Sequence, residues 1–148
     1  MKYFLLSLFT FLSVNTFAQY DGESLQDLMF TENWFTDIEE AAKNPEKVWY
    51  LDLGLQKKRN FPEEIFTFKN LKRLYLAYNY YDKIPDQIAE LQNLEILDLS
   101  GNYYLNNLPD GLWELKNLET LIIKDNRLTS SSIQKAKQKL ENTEIVLE

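Results

Sequence analysis

The sequence predicts an α/β repeat solenoid built on a parallel sheet, and three observations carry that prediction. An apolar pair of the form L-x-L recurs as Leu51/Leu53, Leu74/Leu76, Leu97/Leu99 and Leu121/Ile123, the first members stepping by 23, 23 and 24 residues. Five residues after each first member stands an amide: Gln56, Asn79, Asn102 or Asn126. Three units then continue into Phe61-Pro62, Ile84-Pro85 and Leu108-Pro109, with Ile65, Ile88 and Leu112 three residues past each proline. A period in the twenties with fixed internal places describes units that bury their apolar sides against one another.

Residues 1–18 stand outside this pattern. Lys2, an apolar run from Tyr3 to Leu12 and the closing Thr16-Phe17-Ala18 have the make-up of a secretory signal peptide cleaved after Ala18. The run is short of the roughly 20 residues a membrane span needs, so no membrane insertion is expected after its removal, and the mature chain is expected to be secreted or periplasmic. Residues 19–47 form an arm and a cap for the open end of the stack. Tyr20 to Thr31 is unpatterned. Thr36-Asp37-Ile38-Glu39 has capping-box spacing, and Asn44-Pro45 stops a helix, because a residue before proline is pushed out of the helical region. A helix over Thr36–Lys43 is expected, burying Trp34, Phe35 and Ile38 against the first repeat.

Residues 48–148 form the repeat domain, with units at 48–70, 71–93, 94–117 and 118–140. L-D-L, L-Y-L and L-D-L alternate apolar with polar or amphipathic residues, as half-buried strands do. Each returns by a crossover long enough for parallel pairing. The amide column has donors and an acceptor on each side chain, so it suits an inward ladder that satisfies backbone groups where the strand turns away, with Gln56 at its head. Lys58 stands where later units have Tyr81 or Leu128, which suggests a partly open first unit. The third unit carries one extra residue before Leu105. The fourth replaces the Leu-Pro step with Thr129-Ser130-Ser131-Ser132, the sign of a terminal unit. Ser132 to Leu140 has helical spacing in Ile133, Ala136 and Leu140, and 144–148 reads as a fifth, final strand flanked by Glu144 and Glu148.

Written as one motif, the units give L-x-x-L-x-L-x-x-N-x-x-x-x-L-P-x-x-I-x-x-L-x-N from Val48 to Leu140. This closely resembles the leucine-rich repeat family, in the variety with a Leu-Pro step and a Leu-x-Asn-Leu close. The resemblance implies a curved stack with its parallel sheet on the concave side and short helices or turns on the convex side. It also implies use of the family as recognition modules. Exported relatives of animals and plants often staple their caps with Cys, and this chain has none, which resembles the bacterial kind.

Composition narrows the function classes. No His and no Cys occur, which removes Ser-His and Cys-His nucleophile arrangements and the usual zinc, haem and iron–sulfur ligand sets. Glycine stands only at 22, 54, 101 and 111, so no Gly-rich loop cradles a phosphate. No cofactor and no metal are expected. A net charge of −7 repels phosphate backbones, and Lys57-Lys58-Arg59 reads as a solvated loop cluster, so no nucleic-acid partner is expected.

Two strand columns point away from the leucines. One holds Tyr50, Arg73, Ile96, Thr120 and Glu144; the other holds Asp52, Tyr75, Asp98, Ile122 and Val146. A third, of Gly54, Ala77, Ser100, Lys124 and Glu148, leaves room beside them. Rigid Tyr and Arg groups on a preorganised sheet dominate recognition energy elsewhere. The candidate ligand-binding residues are therefore Tyr50, Asp52, Arg73, Tyr75, Tyr78, Ile96, Asp98, Thr120 and Ile122. Tyr78, Tyr80, Tyr103 and Tyr104 extend the aromatic character along one sheet edge. Asp52 and Asp98 stand two strands apart, which puts their backbones ~9.6 Å from each other across the sheet and overlaps the carboxyl separation of inverting glycosidases. Against a catalytic pair or a calcium site stands a simpler reading, in which Asp between strand leucines is merely solvated. The expected function is non-enzymatic: an exported module binding a protein or peptide, or a glycan, on the sheet face. A glycan-cleaving protein using Asp52 and Asp98, or an assembly subunit, is the alternative.

Overall fold

The computed structural model describes residues 33–148. Six short strands form one parallel sheet in chain order: β1 (Trp34–Phe35), β2 (Tyr50–Asp52), β3 (Arg73–Tyr75), β4 (Ile96–Asp98), β5 (Thr120–Ile122) and β6 (Glu144–Val146). Leu51, Leu74, Leu97, Leu121 and Ile145 lie side by side in register. The four leucines are fully buried. Each contributes about 2 kcal/mol by leaving water, but only because its neighbours supply the surface it packs on.

The opposite wall of the core comes from 3₁₀ turns at Glu63–Thr67, Asp86–Glu90 and Asp110–Glu114. Pro62, Pro85 and Pro109 precede them with φ near −76, −64 and −72°. That is the range the pyrrolidine ring enforces, so the chain enters every turn at the same angle. Ile65, Ile88 and Leu112 are thereby aimed inward and are fully buried.

Two ladders of asparagine tie the units together. Inside, Asn79 Nδ2 donates to the carbonyls of Leu53 (2.9 Å) and Leu76 (3.1 Å), and Asn102 repeats the pattern on Leu76 (3.0 Å) and Leu99 (2.9 Å). Asn126 does so on Leu99 (3.1 Å) and Ile123 (3.0 Å). Each side chain thus joins its own unit to the one before. The oxygens of Asn79 and Asn102 accept the N–H groups of Lys58 and Tyr81. Gln56 does not head this ladder: it is exposed and reaches only the Thr36 carbonyl at 3.4 Å. Its extra methylene overshoots the carbonyl pair that asparagine fits. On the far side Asn70, Asn93 and Asn117 form a second ladder, each donating at 2.8 Å, Asn70 to the Glu46 carbonyl of the cap and Asn93 and Asn117 to the Lys69 and Gln92 carbonyls of the preceding unit.

The ends depart from expectation in detail. The first cap helix, α1 (Ile38–Ala42), starts after Asp37, whose carboxylate accepts the Glu40 N–H at 2.8 Å. Asp37, not Thr36, is the cap, because a carboxylate is the better acceptor and also faces the positive helix end. The last helix, α2 (Ser130–Lys139), begins earlier than its apolar spacing indicated, because Thr129 caps it through the Ser132 N–H. The serine run therefore forms the first helical turn. The terminal strand is the sixth, not the fifth, since Trp34 and Phe35 pair with Tyr50 and Leu51. The expected signal peptide (1–18) and the arm (20–31) lie outside the described residues. Among the described residues no helix is long and apolar enough to cross a membrane.

Candidate functional site on the sheet face

Successive side chains of a strand point to opposite faces, so burying the leucines sends their neighbours to the other side of the sheet. Register confirms the two columns as neighbours. Tyr50, Arg73, Ile96, Thr120 and Glu144 form one, and Asp52, Tyr75, Asp98, Ile122 and Val146 the other. Trp34 heads the first column opposite Tyr50. Its place escaped the sequence reading because it precedes Tyr50 by 16 residues rather than 23.

An aromatic corner results. The Trp34 ring stacks on Tyr50 and on Tyr75, each with centroids 5.8 Å apart. The Arg73 guanidinium lies 5.4 Å from the Tyr50 centroid. Tyr75, Ile96 and Ile122 form an apolar cluster distinct from the leucine core, with Trp34, Tyr50 and Val146 packed against it.

Tyr50, Asp52 and Arg73 are half-buried, Tyr78 is exposed, and Tyr75, Ile96, Asp98, Thr120 and Ile122 are buried. The simpler reading, in which Asp between the strand leucines is merely solvated, therefore fails at Asp98. Asp98 is only 3 % exposed. It stands in register between the bulkier Tyr75 and Ile122, which leave it recessed.

Both aspartates serve the backbone locally. Asp52 Oδ1 accepts the Gly54 N–H at 2.9 Å. Asp98 Oδ1 accepts the Ser100 N–H at 2.8 Å and the Ser100 hydroxyl at 2.6 Å. These i to i+2 bonds are Asx turns that bend the chain off the strand. Burial pushes both carboxyls above their ordinary range; the bonds to Gly54 and Ser100 oppose that, and the charge of Asp52 adds to the rise at Asp98. Among the described residues no group of three or more His, Cys, Asp or Glu side chains converges to hold a metal.

Past the strands, the residue that begins each loop adopts a left-handed conformation: Leu55 (φ 61°), Tyr78 (φ 55°), Gly101 (φ 66°) and Asp125 (φ 56°). Only glycine does so without steric cost. At Gly101 the missing side chain has a second use, since a Cβ there would fall 2.4 Å from Tyr78 Cδ1. The Tyr78 ring is laid across Gly101. At the other sheet edge an open groove of about 440 Å³ is lined by Lys72, Glu95, Lys116, Glu119 and Asn142, and there Lys72 and Glu95 pair at 2.9 Å.

Comparison with known proteins agrees with this architecture. A family profile described as leucine rich repeat matches residues 61–131. Leucine-rich repeat-containing protein 10 of Mus musculus is 39 % identical over 54 residues, 36 % of this chain and 20 % of its own length. The chain thus spans a small part of that relative. A leucine-rich repeat protein of Leptospira interrogans superposes with a TM-score of 0.55 at 28 % identity, over 80 % of this chain and 36 % of that one. An internalin from Listeria monocytogenes gives 0.63 at 19 % identity, over 78 % and 32 %, a likeness of fold. The Arabidopsis receptor kinase HAESA, solved with the peptide hormone IDA and the co-receptor SERK1, gives 0.53 at 28 % identity, over 66 % and 17 %.

Proposed function

We propose, for a chain that belongs to the leucine-rich repeat family, a non-enzymatic recognition module that binds a protein or peptide partner on the face of its sheet. One observation carries this reading. The fold needs apolar residues only on the leucine side, yet Tyr75, Ile96 and Ile122 build a second apolar cluster on the opposite side, with Trp34 and Tyr50 stacked at its end. Rings held by stacking and a guanidinium held against Tyr50 lose little freedom when a partner arrives. HAESA, solved with a bound peptide hormone, is a relative in which this architecture serves peptide binding. A partner first meets the half-exposed Tyr50, Asp52 and Arg73, and Tyr75, Ile96, Asp98, Thr120 and Ile122 form the floor. Export through residues 1–18 belongs to the same proposal.

The Asx turns account for Asp52 and Asp98 as strand-ending acceptors, so no bond-breaking role is assigned to them. The deciding experiment selects binders for the full chain from a displayed random-peptide library. Their affinities are then measured on a Tyr50→Ala/Arg73→Ala variant. A loss of about tenfold or more is expected. Selected peptides that bind the variant as well as the parent would remove the sheet face as the site.

A further inference from the structure

The loops that leave the C-terminal ends of the strands carry a charge opposite to that of the whole chain. Residues 55–60, 78–83, 101–107 and 125–128 hold Lys57, Lys58, Arg59, Lys83 and Arg127 against only Asp82 and Asp125. Five of the 16 basic residues but only two of the 23 acidic ones fall there, in a chain of net charge −7. Solenoid stacking places these loops along one edge, because each follows its strand at the same place in the repeat.

The same edge displays rings. Tyr78, Tyr80, Tyr103 and Tyr104 are 46, 40, 49 and 50 % exposed, which for large aromatic side chains is a loss of burial that the fold does not recover. They are nevertheless held in place. Tyr104 meets Tyr80 edge-on at 6.2 Å and Tyr103 at 5.9 Å. Arg127 stacks its guanidinium 3.8 Å from the Tyr103 centroid, and Arg59 lies 5.6 Å from that of Tyr104. Tyr78 is held with its ring laid across Gly101. Two guanidiniums, those of Arg59 and Arg127, are thus mounted on a row of rings.

We infer that this edge is a second docking surface, separate from the sheet face, and that its occupant is an acidic polypeptide segment with aromatic side chains among its carboxylates. Arg59 and Arg127 receive carboxylates as two-pronged donors, and the outward ring faces receive the partner's aromatic groups. The local positive potential steers such a segment to this edge while the acidic remainder of the chain repels it from elsewhere. A nucleic-acid strand, with a charge on every residue, is repelled by that remainder more strongly.

The test measures anisotropy of a fluorescein-labelled glutamate–tyrosine copolymer on the full chain. Poly-glutamate, oligogalacturonate and a single-stranded oligonucleotide serve as competing probes. The copolymer is expected to bind more tightly than all three and to weaken as salt is raised. Arg59→Ala/Arg127→Ala weakens it by about tenfold or more, as does Tyr103→Ala/Tyr104→Ala, which removes no charge. Tyr50→Ala/Arg73→Ala, on the sheet face, leaves it unchanged, so this surface stands or falls apart from the other. Absence of copolymer binding, tighter binding of the sugar or the oligonucleotide, or full binding by either edge variant would overturn the inference.

Discussion

Gly111 and Asp86, in consecutive units, touch so closely that a Cβ on the glycine would lie 1.9 Å from the Asp86 carbonyl oxygen. The Gly111 N–H meanwhile donates to Asp86 Oδ1 at 3.0 Å. The obstructing atom is backbone and cannot swing aside as a side chain would. Gly111→Ala is expected to cost about 3 kcal/mol or more by forcing the two turns apart. Urea unfolding of the variant checks this, and a midpoint equal to the parent's would refute the close packing.

Asn102 is fully buried and its Nδ2 serves carbonyls of two units. Asn102→Ala strands those oxygens and the Tyr81 N–H without water, a loss of about 3 kcal/mol. Gln56→Ala, at the aligned but exposed place, changes stability by less than about 0.5 kcal/mol. Comparable losses for the two would contradict the truncated ladder.

Leu55 is 40 % exposed and left-handed, so its side chain gains little from packing while its backbone carries a steric cost. Leu55→Asn relieves that cost and is expected to stabilise by about 1 kcal/mol. Calorimetry of the variant shows whether the melting temperature rises.

Asp98 gives a pH signature. Burial raises its carboxyl pKa in the folded state, so the folded chain holds that proton more tightly than the unfolded chain does. Its contribution is most favourable below the unfolded pKa and is lost as pH rises through the folded one. Asn keeps an oxygen for Ser100 but carries no charge. Asp98→Asn should therefore melt higher than the parent at neutral pH, and the gap should close on acidification below the ordinary carboxyl range. A gap that widens in acid would show the sign to be wrong.

Much of the stack was legible because its forces are local and repeated. Leu51, Leu74, Leu97 and Leu121 repeat at one interval, and prolines at 62, 85 and 109 impose the same turn entry, so both wall positions follow from counting. Trp34 was not legible, since β1 joins the sheet across a shorter connection that breaks the count. Nor was the fate of Gln56, where one methylene decides whether an amide reaches two carbonyls.

The candidate surfaces divide the same way. Alternation named the column of Asp52, Tyr75, Asp98 and Ile122, because pleating assigns faces residue by residue. Burial of Asp98 depends on which side chains flank it in other strands, and periodicity carries no such information. Lys57-Lys58-Arg59 looked like solvated charge in one dimension; only stacking of the loops brings Arg59 to Tyr104, 45 positions away, and Arg127 over Tyr103.

The chain's own order of residues thus determined the solenoid, its register and its leucine interior, because each repeat interacts chiefly with the next. Tertiary structure alone decided which exposed rings meet which cations and which carboxylate loses water. Those outcomes depend on side chains from different units arriving at one point in space, and no single unit encodes that meeting.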